Sequence, residues 1–175
     1  LKFLLFALSF FFNRKYLSGR WFDGTYVGVR WALKSILHRR ILGLGRFYPW
    51  PAIYSCSSSC PENIYFHSDD LNNFQSPGVY FQNFSGSIFL GRGVYIAPNV
   101  GIITANHDPN DLNLHQPGQD VVIGDNCWIG MNSVVLPGVH LGERTIVAAG
   151  SVVTKSFEEG ALIVGGVPAR ILKRL

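Results

Sequence analysis

The sequence predicts an all-β fold, a parallel β-helix, led by a helical segment of different composition. Three observations predict it. Ile123, Ile129, Val135, Leu141, Val147 and Val153 recur at every sixth position, a period that fits neither a 3.6-residue helix nor two-residue strand alternation. Gly124, Gly130 and Gly142 follow three of them, and Cys127, Ser133, Val139, Thr145 and Ser151, all small or β-branched, stand four residues after the first five. Short strands joined by tight corners explain both patterns, with one aliphatic residue inward per strand and glycine where a corner needs unusual dihedrals. Thirdly, charge divides the chain: residues 1–50 hold nine Lys/Arg and one acid, Asp23, whereas residues 51–175 hold six Lys/Arg and ten acids.

A length of 175 residues suits one domain with a small appendage. We divide it into a basic, apolar helical segment over 1–50 and a β-helix domain over 51–175. Hydrophobic residues at 47% with 15% charged suit a soluble or surface-associated globular protein. The basic leading segment on an acidic body points to an anionic membrane surface or a polyanionic substrate, and no nucleic-acid partner is expected. Cys56 and Cys60 lack a matching second pair, so no zinc site is expected; Cys127 reads as a small core residue. A reducing compartment is the default.

Taken in order, residues 1–12, LKFLLFALSFFF, are almost wholly apolar but shorter than the ~20 residues of a spanning helix. They read either as a packed helix or as a shallow membrane insertion aided by Arg14, Lys15 and Arg20. Residues 26–42 read as a helix with an apolar stripe of Val29, Leu33, Ile36, Leu37 and Ile41. Arg30, Lys34 and His38 flank the stripe, and Arg39 points away from it. This helix is expected to cap the open end of the coil, since repeat folds need capped ends, or to lie on a membrane. Gly43, Gly45, Pro49 and Pro51 mark its exit.

Residues 52–88 read as degenerate coils, with Phe66, Asn72, Gly78, Phe84 and Leu90 in one six-residue phase. From Leu90 the pattern is clean, with Leu90, Ile96 and Ile102 inward and Val94 and Val100 as the second inward set. Ile102 to Ile123 is 21 residues (123 − 102), read as a full turn of three strands plus three residues, the excess lying in an excursion loop over 108–120. Glu158, Glu159 and Gly160 end the coils. Pro168 suits a first helical turn, so Ala169 to Leu175 is expected to form a short C-terminal helix.

The order ITANHD, excursion loop, VIGDNCWIG, VVLPGV, IVAAGSVVTK, GGVPAR resembles the hexapeptide-repeat acyltransferases. The likeness is strongest to their galactoside, maltose and nodulation O-acetyltransferase branch and to the capsule and lipopolysaccharide sugar O-acetyltransferases. The resemblance covers about Gly78 to Arg170. It implies a left-handed β-helix, a homotrimer with sites between subunits, acetyl-CoA as donor, and a hydroxyl or amine acceptor.

His107 ends the IITANH repeat and should face outward, beside the excursion loop. Acyl transfer from a thioester needs a base for the acceptor proton, and imidazole suits that role near neutral pH. Spacing alone leaves a surface turn histidine open; the resemblance implies that His107 is catalytic. Asp108 could orient it. The resemblance further implies that Asn83 binds the acceptor and that Met131, Ala149, Thr154, Lys155, Arg170 and Lys173 line the acetyl-CoA groove, the cations meeting its phosphates. Trp128 faces outward and lines the site or packs at a subunit contact. Tyr80 and Phe81 offer an aromatic face for a sugar ring, or core.

The resulting expectation is an acetyl-CoA-dependent O-acetyltransferase, using no metal, that acts on a sugar hydroxyl of a bacterial surface polysaccharide or its precursor. It would work in the cytoplasm, peripherally at the inner membrane face. The alternatives are N-acylation of an amino-sugar nucleotide, a non-catalytic trimeric scaffold, or a γ-class carbonic anhydrase using His107, His115 and His140, whose spacing does not suit that zinc site.

Overall fold

Six-residue periodicity becomes structure because each strand is only two or three residues long. The computed structural model describes residues 1–175. It opens with α1 (Lys2–Leu8) and α2 (Val27–Ser35), the latter continued by a π turn over Ile36–Ile41. Fourteen strands follow: β1 (Ser57–Ser58), β2 (Ile64–Tyr65), β3 (Tyr80–Gln82), β4 (Ile88–Leu90), β5 (Tyr95–Ile96), β6 (Gly101–Ile103), β7 (Val121–Ile123), β8 (Trp128–Ile129), β9 (Val134–Val135), β10 (His140–Leu141), β11 (Ile146–Val147), β12 (Val152–Val153), β13 (Leu162–Gly166) and β14 (Ala169–Arg174). They form three sheets, ordered β1-β3-β6-β9-β12, β2-β4-β7-β10 and β5-β8-β11-β13-β14. All pairings are parallel except β13 with β14. From β3 to β12 successive strands visit the three sheets in turn, which makes a three-sided coil.

Both inward sets fill the coil. Ile129 stands in register between Ile96 and Val147, and Val135 between Ile102 and Val153; all six side chains are buried. Burying each such aliphatic side chain stabilises the fold by roughly 1.5–3 kcal/mol. The polar members of the second set are satisfied locally. Thr145 Oγ1 donates to Gly142 O at 2.7 Å, and Ser133 Oγ donates to Ala148 O at 3.0 Å.

The corner glycines have a different cause from the one expected. Gly124, Gly130 and Gly142 are not among the residues with positive φ. Their hydrogens face the backbone of the next coil: a Cβ on Gly130 would lie 2.6 Å from Ala149 N, and one on Gly142 2.3 Å from Glu158 O. The left-handed corner conformations fall two residues later, at Asn126, Asn132, Gly138, Arg144 and Gly150, where asparagine and glycine cost least.

Four further expectations are corrected. The phase of Asn72, Gly78 and Phe84 is not the inward one; Ile64, Val79, Phe81 and Ile88 are inward instead, because Phe81 and Leu90 are nine residues apart (90 − 81), whereas their register partners Val135 and Leu141 are six apart (141 − 135). Asn73 stands in for a missing strand, its Nδ2 donating to Val94 O at 2.9 Å and its Oδ1 accepting from Ile96 N at 2.8 Å. Ile102 and Ile123 lie on consecutive strands, β6 and β7, so the whole excursion occupies one corner rather than adding three residues to a full turn.

In α2 the buried face is Val29, Ala32, Ser35 and, in the π turn, Arg39, while Leu33, Leu37 and Ile41 are exposed. Arg39 thus points in, contrary to expectation. Its guanidinium donates to the carbonyls of Ala52, Arg46, Ile53 and Cys56, and it lies 4.1 Å from the Tyr48 ring centroid. Carbonyls that a loop cannot pair within itself attract the charge inward more strongly than the apolar stripe repels it.

The C-terminal helix is also replaced. Residues Ala169–Arg174 form β14, antiparallel to β13. The exposed edge of β13 offers unpaired backbone groups, and a reversal through Gly166 (φ 101°) returns the chain along it.

The leading segment closes the open end of the coil with aromatic rings. Tyr16 stacks on Phe66 at 4.7 Å between centroids, Trp50 meets Phe74 at 5.0 Å, and Phe74 meets Phe81 of β3 at 5.5 Å. One continuous apolar core therefore runs from Leu8 to Ala169.

Candidate active site

The corner between β6 and β7 is pinned at its base. Gln82 Oε1 accepts from Thr104 N and Ala105 N, each at 3.1 Å, and its Nε2 donates to Ala105 O at 2.9 Å. Gln119 N donates to Thr104 O at 2.8 Å, and Ser87 N to Asp120 Oδ1 at 2.7 Å. A Cβ on Gly118 would fall 1.9 Å from Ser85 O, so only glycine lets the returning strand come this close. Above this base the loop is a small antiparallel ribbon. Asp108 N donates to Leu114 O, Gln116 N donates to Asn106 O, and His107 bridges His115.

His107 is exposed on this ribbon, as expected. Its Nδ1 lies 2.7 Å from Leu112 O. A carbonyl only accepts, so Nδ1 carries the proton and Nε2 keeps its lone pair. The imidazole is held in one orientation with Nε2 left free. Asp108 is not its orienter: the Asp108 carboxylate accepts from Asn110 N at 2.8 Å within its own turn. The sequence reading missed two neighbours. The ring of His115 lies 4.3 Å from that of His107, and the ring of Phe84 lies 4.8 Å from that of His115, edge to face. The recoverable signal was the symmetry of NHD and LHQ about an Asx-rich turn, a hairpin pattern.

Asn83 is buried, not open to a ligand. Its Oδ1 accepts from Ser58 Oγ and Cys60 N, each at 3.0 Å, and its Nδ2 donates to Cys60 O. It closes the first coil, a structural use of the amide in place of the acceptor contact that the resemblance implied. Phe81 is core, whereas Tyr80 is exposed.

The residues assigned to the donor fall on two different edges of the coil. Met131 and Ala149 occupy corners between the third sheet and the first, stacked on one another, with Gly150 N donating to Met131 O at 2.9 Å. Thr154 and Lys155 occupy the corner after β12, on the same edge as the corner that carries His107 and two coils away from it. All four are exposed. Lys155 and Arg170 share a cleft of about 510 Å³ with Phe157, Glu158, Glu159 and Ile171. The Arg174 guanidinium, 2.6 Å from Glu159, offsets one of the two carboxylates. Thr154 and Lys173 are exposed outside that cleft. Trp128 stands half-exposed on the flat outer face of the third sheet, beside Tyr95. Cys127 is inward as expected, its thiol raised above the usual range by burial.

Residues 120–155 match the family model described as bacterial transferase hexapeptide (six repeats). Among curated proteins, a putative acetyltransferase of Saccharomyces cerevisiae is 33% identical over 131 residues, covering 67% of this chain and 66% of its own length. The galactoside O-acetyltransferase of Escherichia coli is 34% identical over 93 residues, covering 51% and 45%. The chain therefore spans less than two thirds of the length of these relatives. Among solved structures, a mutant of an N-acyltransferase from Bacillus cereus in complex with an amino-sugar nucleotide and coenzyme A is 24% identical, covers 55% of this chain and 56% of that one, and superposes with a TM-score of 0.50, a likeness of fold. With its unbroken six-residue repeat and its single excursion at His107, the chain belongs to the hexapeptide-repeat acyltransferase family.

Proposed function

We propose that this chain is an acetyl-CoA-dependent O-acetyltransferase with His107 as general base, acting on a sugar hydroxyl of a bacterial surface polysaccharide or its precursor. The observation that carries this reading is the bond from Nδ1 of His107 to Leu112 O, which leaves Nε2 free as the base. Nε2 takes the hydroxyl proton as the acceptor oxygen attacks the thioester carbonyl carbon. The tetrahedral adduct collapses, the C–S bond breaks, and the imidazolium returns the proton to the departing thiolate. The Leu112 carbonyl stabilises the imidazolium between these steps.

Acetyl-CoA is a consumed co-substrate. Lys155 and Arg170 in the cleft fit its phosphates, and the small side chains of Ala149 and Thr154 fit a narrow pantetheine arm. The division of these residues between two edges supports a homotrimer: one chain cannot place Met131 and His107 around one ligand, whereas the edge of a neighbouring copy can complete the groove. Leu112 and Leu114, exposed beside His107, suit such a neighbour. The left-handed sense of the coil belongs to the same reading, as does the division at residue 50. The galactoside acceptor in the name of the E. coli relative supports a sugar hydroxyl, and the basic leading segment supports an acceptor made at the inner face of the membrane.

His107→Ala should lower turnover by at least about a hundredfold, the low end for a positioned acid–base group, with an unchanged melting curve and oligomeric mass. Activity near that of the parent removes the assignment. Transfer of radiolabelled acetyl groups, screened against galactosides, amino-sugar nucleotides and capsule polymers, identifies the acceptor.

A further inference from the structure

Two apolar faces on the leading segment are turned to solvent. On α1 Phe3 and Phe6, and in the turn after it Phe10, stand 85%, 54% and 75% exposed, the rings of Phe6 and Phe10 5.2 Å apart. Their spacing places them on one side of the helix. On α2 and its π turn, Leu33, Leu37 and Ile41 stand 50%, 45% and 69% exposed, four residues apart. Both faces belong to one end of the molecule. Phe12, after α1, stacks on Phe47 at 5.2 Å, and the Arg40 guanidinium of the π turn lies 5.9 Å from the same ring. Asn13 N also donates to Pro49 O at 2.8 Å. Helices that only capped the coil would turn these side chains inward, and the core already has its own aromatic set.

The charge beside them is of one sign. Lys2, Arg14 and Lys15 accompany the first face, and Arg30, Lys34 and Arg40 the second. None of the six takes part in an ion pair. The one acid in residues 1–50, Asp23, accepts from Gly19 N. Arg30 and Lys34 are like charges at i, i+4, an arrangement that destabilises a helix. A second copy of the chain would set this cationic surface against itself, and a soluble polyanion makes no use of exposed phenylalanines. Large apolar side chains among unpaired cations match an anionic lipid bilayer, where rings enter the acyl boundary and ammonium and guanidinium groups meet phosphate headgroups. No helix of the chain is long and apolar enough to cross a membrane, and the apolar sides of α1 and α2 suit a contact that lies on the surface.

We propose that α1 and the outer side of α2 form a single docking face for anionic membranes. The proposal is independent of the assignment of His107. It is tested with the full chain by flotation on vesicles of phosphatidylcholine alone and of phosphatidylcholine with one third phosphatidylglycerol. The parent chain should float with the anionic vesicles and much less with the neutral ones. Phe6→Ser with Phe10→Ser, and separately Leu37→Gln with Ile41→Gln, should each weaken binding at least about tenfold without moving the melting temperature, because these side chains are exposed. Lys34→Ala with Arg40→Ala should reduce binding to the anionic vesicles alone.

Three results overturn the proposal. The first is a parent chain that stays unbound. The second is apolar variants that bind like the parent, which would make the surface a site for a soluble polyanion. The third is a parent whose mass by light scattering falls in the apolar variants, which would make the face a contact between copies.

Discussion

The coil over β6–β12 and the cap over residues 1–75 are built on opposite plans. In the coil Ile123, Ile129 and Val135 each pack on the inward residue 18 positions on, as Val135 does on Val153, and every layer repeats the same small aliphatic set. In the cap nothing repeats. Its core is aromatic, from Tyr16 through Trp50 and Phe66 to Phe74, and its loops depend on one buried guanidinium. Damage in the coil should stay local, since a layer touches only its neighbours. Damage in the cap should be widely felt, because one side chain, Arg39, holds four carbonyls along the stretch from Arg46 to Cys56.

The most severe test of this contrast is Arg39→Ala. Removing the guanidinium leaves buried carbonyls unpaired, and we expect a loss of about 3–5 kcal/mol in chemical denaturation, the range for breaking a buried charged network. A loss below 1 kcal/mol would show that the cap does not depend on it.

Alkaline pH probes the same region with a smaller effect. Burial pushes both the Tyr48 hydroxyl and the Cys56 thiol up to about 12. Both values lie above those of the unfolded chain, so the stability they contribute is complete below pH ~9 and is lost as pH rises from there towards 12. For Tyr48 the loss is on the order of 2–3 kcal/mol. Hydrogen exchange across that range should show amides near residues 48–58 losing protection before those of β8 and β9; the reverse order contradicts the contrast.

The smallest effect belongs to the coil. Ile129→Val removes one methyl group between Ile96 and Val147 and should cost about 0.5–1.5 kcal/mol, with acetyl transfer unchanged. A larger loss with altered exchange in the cap would mean that layers do not act independently.

How much of the molecule was legible follows from this contrast. The inward residues of the coil could be named from the sequence, because a fixed period and side-chain volume settle which way each one faces. The site was legible only as far as His107. Its tautomer depends on Leu112 O and its setting on His115 and Phe84, contacts made when an Asx-rich turn folds back on itself. Asn83 matched a motif position, yet the end of the first coil had amide and hydroxyl partners waiting for it.

By itself the sequence determined the coil, its inward sets, the place where it is interrupted, and the outward histidine there. These are local or periodic properties, and every layer repeats the same instruction. Tertiary structure alone decided three things: that Arg39 turns inward while Leu33, Leu37 and Ile41 turn outward, that Ala169–Arg174 is a strand, and that the residues assigned to the donor divide between two edges. In the first two cases a short segment had a choice of conformation or facing. Unpaired backbone groups elsewhere tipped the balance, the carbonyls around Arg39 and the open edge of β13. An unmet hydrogen bond in a distant part of the chain leaves no periodic trace in the segment that satisfies it.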